Sequence, residues 1–130
     1  MKLVFIAGPL TTGWDGKGTE IIENNIRKAE IFQVALCNLG IGAFCPHSHT
    51  SLHHTKGSVA PETFYYDLDL EFLSRCDALL ALPDWSQSRG ARREVAWAIE
   101  NKKPVFYPSG VDDLNEIVEW NKKEISKIIL

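Results

Sequence analysis

The sequence predicts an α/β fold, a parallel sheet with helices on both faces. Two observations carry this. The runs Leu3-Val4-Phe5-Ile6-Ala7 and Ala78-Leu79-Leu80-Ala81-Leu82 are continuously apolar, as central parallel strands are when both faces are covered. Between such runs lie stretches of helical periodicity. Strands separated by helices argue for right-handed crossovers and parallel pairing.

The elements follow in order. Gly8-Pro9-Leu10 breaks the first strand, and a polar, glycine-bearing loop runs over residues 11–19. A helix is predicted over 20–39. Ile22, Ile26, Ala29, Phe32 and Leu36 form its apolar side, with Gln33 as a polar interruption. Gly40 and Gly42 end it. Gly42-Ala43-Phe44-Cys45 reads as a short second strand, stopped by Pro46. Residues 47–60 read as irregular. Pro61 suits the first turn of a helix running to about Arg75. The third strand covers residues 78–82, and a helix capped by Ser88 follows. A fourth strand is predicted at 104–107 and a last helix at about 112–128. In such sheets ligands bind beyond the C-terminal strand ends, where strand order reverses. The loops after Ala7, Cys45 and Leu82 are therefore expected to converge on one pocket.

Composition bounds the classes. The chain has 130 residues, 45% hydrophobic and 24% charged, which suits one domain with a real core. A net charge of -3 gives no support for a nucleic-acid polymer or a membrane as partner. No run is apolar enough for a secretory signal or a bilayer span. Cys37, Cys45 and Cys76 are odd in number and scattered, which fits buried thiols in a reducing cytoplasm.

Two acids stand out. After the third strand comes Asp84-Trp85-Ser86-Gln87-Ser88-Arg89-Gly90-Ala91-Arg92-Arg93-Glu94. On the following helix Glu94 lies one turn beyond Gly90 and Ala91, on their side. Those small residues leave a space above its carboxylate, near the positive end of a helix. The plain alternative is a surface glutamate paired with Arg92, Arg93 or a lysine. On the preceding helix, Asp69 falls within the stripe Tyr65, Leu68, Phe72, Leu73 and Cys76, whereas Asp67 shares the solvent side with Glu71 and Ser74. An acid in a buried stripe is costly unless it has partners or meets a cavity. Either it bonds a nearby backbone group or a tyrosine hydroxyl, or it looks into the same pocket as Glu94. Two carboxylates on one site suit chemistry at an acetal-like carbon, one as nucleophile and one handling protons.

Other candidates surround them. Ser86 and Ser88 offer hydroxyls, and the Gly90 and Ala91 amides open a helix, so a phosphate fits there, with Arg89 or Arg92 adding charge. Helix capping by Ser88 alone is the alternative. Trp85 and Tyr66 are placed to stack on a base or to pack. Trp14 is a loop lid or a surface anchor to a neighbouring subunit, and Trp97 and Trp120 pack. The loop Gly8-Pro9-Leu10-Thr11-Thr12-Gly13 lacks both the dinucleotide fingerprint and a Walker lysine, so no cofactor is expected. Its backbone can still pass close to a ribose or phosphate. Cys45, His47, His49, His53 and His54 match no standard zinc spacing, so no metal is assigned. His47 is expected to line the pocket, with His49, His53 and His54 in a surface loop or lid.

Together, Ile6-Ala7-Gly8-Pro9, Asp69-Leu70-Glu71-Phe72-Leu73 before Cys76-Asp77-Ala78, and Ser88-x-Gly90-x-x-x-Glu94 resemble the nucleoside 2-deoxyribosyltransferase superfamily. The order and spacing of the motifs carry the likeness, which extends to the fourth strand. It implies a flavodoxin-like, Rossmann-like three-layer fold with a parallel five-stranded sheet, although only four strands are clear in the sequence. It also implies cleavage of an N-glycosidic bond, with Glu94 forming a glycosyl-enzyme and Asp69 assisting the base or sugar. Ser88 stands where the free-nucleoside transferases carry an acid. In the 2'-deoxynucleoside 5'-phosphate N-hydrolase branch a serine there binds phosphate, which favours a nucleotide. The chain is also similar to small, often phage-associated relatives with an Ala-Gly-Pro start and an Asp-Trp-x-x-Ser segment.

The expected function is N-glycosidic cleavage of a nucleoside or, preferably, a nucleoside 5'-monophosphate, by a cytoplasmic homodimer or larger homo-oligomer. The catalytic candidates are Glu94 and Asp69. The substrate-binding candidates are Gly8, Pro9, Leu10, His47, Tyr66, Trp85, Ser86, Ser88, Gly90 and Ala91. The competing classes are a nucleotide-binding module without turnover and a small metal-binding protein using the histidine loop.

Overall fold

The computed structural model describes residues 1–50 and 53–129. Strand β1, Leu3–Ala7, pairs in parallel with β2, Gly42–Phe44, and with β3, Ala78–Ala81. Strand β4, Val105–Phe106, pairs in parallel with β3. The order is β2-β1-β3-β4. Strand order thus reverses between β1 and β3, and a crevice opens beyond their C-terminal ends.

Alternation along β1 builds two cores. Val4 and Ile6 point to one face and Phe5 and Ala7 to the other, as the two-residue strand period requires. The first face is covered by α1, Glu20–Asn38, through Ala29, Phe32 and Leu36, and by α5, Asn115–Ile129, through Ile117. The second is covered by α3, Glu62–Ser74, through Leu73, and by α4, Arg89–Glu100, through Ala91, Val95 and Ala98. Three layers result. All of Val4 to Ala7 and Ala78 to Ala81 are fully buried, and a buried side chain the size of Phe5 contributes about 1.5–3 kcal/mol.

Helix ends follow local rules. At the end of α1, the Gly40 amide donates to Cys37 O and the Ile41 amide to Leu36 O, with Gly40 at φ 76°. This is the left-handed glycine stop that satisfies the last carbonyls. Gly42 has a different role from the one predicted. It belongs to β2, and a Cβ there would lie 2.8 Å from a Leu3 methyl.

Two expectations are corrected. Among the described residues the sheet has four strands, not five. After β4 the chain passes through Pro108, Ser109 and Gly110 and winds into α5, leaving no apolar run to extend the sheet. Nor is the stretch after β2 wholly irregular. Pro46–His49 forms a short helix, α2, and His53–Lys56 one turn of 3-10 helix. Pro46 begins α2 because its fixed φ and missing amide suit a first turn. Residues 51 and 52 of that stretch lie outside the described part.

Candidate functional site

The loops after β1 and β3 meet at the reversal point. Pro9, Asn25, Lys28, Asp84 and Gln87 line a cleft of about 230 Å³ there, with Ile21 as an apolar wall. The loop after β2 joins them through His47. Its Nε2 lies 3.0 Å from Gly8 O and 3.1 Å from Pro9 O. Both partners are acceptors, so Nε2 carries the proton and donates. The ring is 4% exposed, and burial holds its pKa below the usual histidine value despite those carbonyls. His47 is therefore a neutral strut binding the β2 loop to the β1 loop.

Asn25 does the same from α1. Its Nδ2 donates to Leu10 O at 2.8 Å and reaches Thr12 O at 3.4 Å. This residue is not among the candidates that the sequence motifs point to. Its signal was a polar side chain between Ile22 and Ala29 in the buried stripe of α1, where it is 8% exposed. Gly8 is fixed by packing. A Cβ there would stand 2.3 Å from Leu82 Cδ1, so the missing side chain is explained without a ligand. Trp14 folds its indole back on its own loop, donating to Gly18 O at 2.9 Å.

Asp69 and Glu94 do not line that cleft. They come from α3 and α4, the pair of helices on the other face of the sheet. Both are partly buried. Neither has a hydrogen bond or ion pair among the described residues, and no such bond contributes to either ionisation. Burial pushes Asp69 up to about 6. Glu94 is also raised well above its ordinary value, by burial first and then by the charge of Asp69, with Arg93 opposing. The Asp69 charge thus reaches the Glu94 carboxyl. By contrast Asp67 is exposed and pairs with Arg93 at 3.9 Å.

Tyr66 lies about one turn before Asp69 on α3. Its hydroxyl donates to Glu62, and the Arg93 guanidinium lies over its ring, 5.7 Å from the centroid. A Cβ placed on Gly90 would meet Tyr66 Cε1 at 3.8 Å and Ser88 Oγ at 3.9 Å, ordinary contacts. Neither crowding nor a positive φ demands glycine there. A glycine inside a helix costs about 0.5–1 kcal/mol relative to alanine, so its presence is consistent with a space kept open.

Ser88 is the N-cap of α4. It is 8% exposed, and its Oγ accepts from the Ala91 amide at 3.1 Å. That amide, expected to serve a phosphate, is thus already used. Arg92 donates to Ser86 O at 2.7 Å, while Arg89 has no ion pair among the described residues. Ser86 is exposed. Trp85 packs on the α3–α4 core and faces Tyr107, with ring centroids 5.7 Å apart.

The histidine loop holds together through aromatic and hydroxyl contacts. His49 meets Phe72 edge-on at 5.2 Å, and His53 Nδ1 lies 3.1 Å from the Tyr65 hydroxyl, which also bonds Ser58. The side chain of His54 lies outside the described part. Among the described residues no three His, Cys, Asp or Glu side chains are grouped to hold a metal ion, and no helix is long and apolar enough to cross a membrane.

No curated protein matches the chain. A family model described as a domain of unknown function, DUF1937, matches residues 2–109. The matched span contains all four strands, the reversal-point loops and both carboxylates, and on that extent the chain belongs to the DUF1937 family.

Proposed function

We propose that the protein cleaves the N-glycosidic bond of a nucleoside or, preferably, a nucleoside 5'-monophosphate. This places it beside the nucleoside 2-deoxyribosyltransferases, with a flavodoxin-like strand order. One observation carries the reading: Asp69 and Glu94 are raised together in one partly buried site and have no protein partner among the described residues. Buried acids with raised ionisation and no ion pair or hydrogen bond, one acting on the other, mark sites of chemistry more than of architecture.

In the reaction a Glu94 oxygen attacks the anomeric carbon, and the C–N bond breaks with its electron pair leaving on the base. A proton then reaches the departing nitrogen, with Asp69 as its donor or relay. Water, or a second base, next attacks the anomeric carbon and frees Glu94. Arg93, stacked over the Tyr66 ring, also acts on the Glu94 charge, and Arg89 is available for an anion. With the Ala91 amide committed to Ser88, the Gly90 amide and Arg89 are left to meet a phosphate. A homo-oligomer in the cytoplasm belongs to the same reading. Ile31, Val34 and Ile99, each more than half exposed, support the oligomer.

A nucleotide-binding module without turnover is favoured by one specific observation. Burial raises the Glu94 carboxyl above its ordinary value, and the Asp69 charge adds to this; burial of that kind favours the neutral acid, which binds but does not attack. Screening nucleosides and 5'-monophosphates for free base separates the two. The enzyme releases base and leaves a covalent adduct on Glu94 with a 2-fluoro sugar analogue, whereas binding without release leaves the module. Ser88→Ala tests the phosphate. If Ser88 holds it, monophosphate preference narrows on the order of tenfold. If Ser88 only caps, the ratio stays and stability drops by about 1 kcal/mol.

A further inference from the structure

The reversal-point cleft contains neither Asp69 nor Glu94, and its polar groups are disposed in a particular way. Among the described residues Lys28 has no ion pair and the Asp84 carboxylate accepts no hydrogen bond, its main-chain carbonyl alone accepting from the Gln87 amide, and both residues line the cleft. They form no ion pair with each other. Asn25 has its Nδ2 committed to two backbone carbonyls. Those acceptors settle which way the amide faces, and Oδ1 is the atom left over. That oxygen has no partner among the described residues, on a side chain 8% exposed that lines the cleft. One cation, one carboxylate and a fixed carboxamide acceptor thus share one small space, with Gln87 beside them. A volume of about 230 Å³ lies below the roughly 300 Å³ at which drug-sized pockets begin.

We propose that this cleft binds a small anionic polyol, a phosphorylated pentose in size, with its phosphate on Lys28 and its hydroxyls donating to Asp84 and Asn25 Oδ1. The acceptors decide for hydroxyls. Asp84 and Asn25 Oδ1 need donors from the ligand, and an isolated phosphate would have only Lys28 and would face the Asp84 charge. The position agrees with the general placement of ligands in open parallel sheets. The site does not depend on glycoside cleavage.

Ribose 5-phosphate is the probe, titrated into the full chain by calorimetry and followed on the side-chain amide NMR signals of Asn25. Saturable binding that moves those signals is expected. Lys28→Ala, an exposed substitution, should weaken it about tenfold or more, and Asp84→Asn should weaken it while leaving the melting profile intact. Binding should persist in Glu94→Gln, which separates this cleft from the carboxylate pair whether or not base is ever released. The proposal is overturned if ribose 5-phosphate does not bind, or if it binds equally well in Lys28→Ala and Asp84→Asn. Inorganic phosphate binding as tightly as the sugar phosphate would also overturn it, because the hydroxyl contacts would then contribute nothing.

Discussion

Polar side chains are used in opposite ways on the two faces of this sheet. Around the β1 loop, His47 and Asn25 are almost wholly buried, and each donates to backbone carbonyls of that loop. They are neutral and their cost of burial is offset by those bonds. Across the sheet, Asp69 and Glu94 have no such partners among the described residues; burial raises both, and the Asp69 charge adds to the rise of Glu94. The first arrangement secures a loop. The second holds two acids in a state that a ligand would relieve. The lesson is that burial of a polar group says little until its bonds are counted.

Substitutions can break this contrast. The largest effect is expected at Glu94. Glu94→Ala should lose roughly three decades of base release while remaining folded, since no bond in the described fold depends on that carboxylate; near-normal turnover would return Glu94 to the status of a helix-flank acid. His47→Ala should do the reverse. It strands two buried carbonyls, at about 1–3 kcal/mol for the lost bonds, so it should lower the melting temperature by several degrees; an unchanged melt would mean the strut is dispensable.

Asp69→Asn tests the coupling. The carboxyl titrates near 3.8 when unfolded and about 6 in the fold. Between those values the native state holds the extra proton, so unfolding free energy falls as pH rises from the lower to the higher. At neutral pH the variant should therefore be at least as stable as the parent. Removing that charge should also let Glu94 ionise more easily, moving the acid limb of the rate profile to lower pH; an unmoved limb would show that the two acids do not communicate. Gly90→Ala is the gentlest change. It should stabilise α4 by up to about 1 kcal/mol yet reduce turnover by crowding the space beside Tyr66, and a variant gaining both stability and rate would leave the glycine without a functional reason.

Much of the fold was legible because it rests on local rules. The all-apolar β1 and β3, the Ser88 cap and the Gly40 stop each depend on a few neighbouring residues. The four strands visible as apolar runs are those that form, and the fifth came only from resemblance. In the site, Asp69 was legible as an acid inside an apolar stripe, and Glu94 as an acid one turn past a glycine. The commitment of the Ala91 amide to Ser88 was open in the sequence, since a cap and a phosphate ask for the same residues.

Tertiary structure alone decided the rest. Nothing in the local pattern says that His47 reaches Gly8 O and Pro9 O, or that Asn25 closes on Leu10 O. The sequence determined which residues were polar in apolar surroundings. Whether each would be satisfied depended on which backbone carbonyls the crossovers brought near. The same holds for the charge effect of Asp69 on Glu94, which requires two helices to pack side by side on one face. Hydrogen bonds and ionisation depend on distance and burial, and the parallel crossovers set both between residues far apart in the chain.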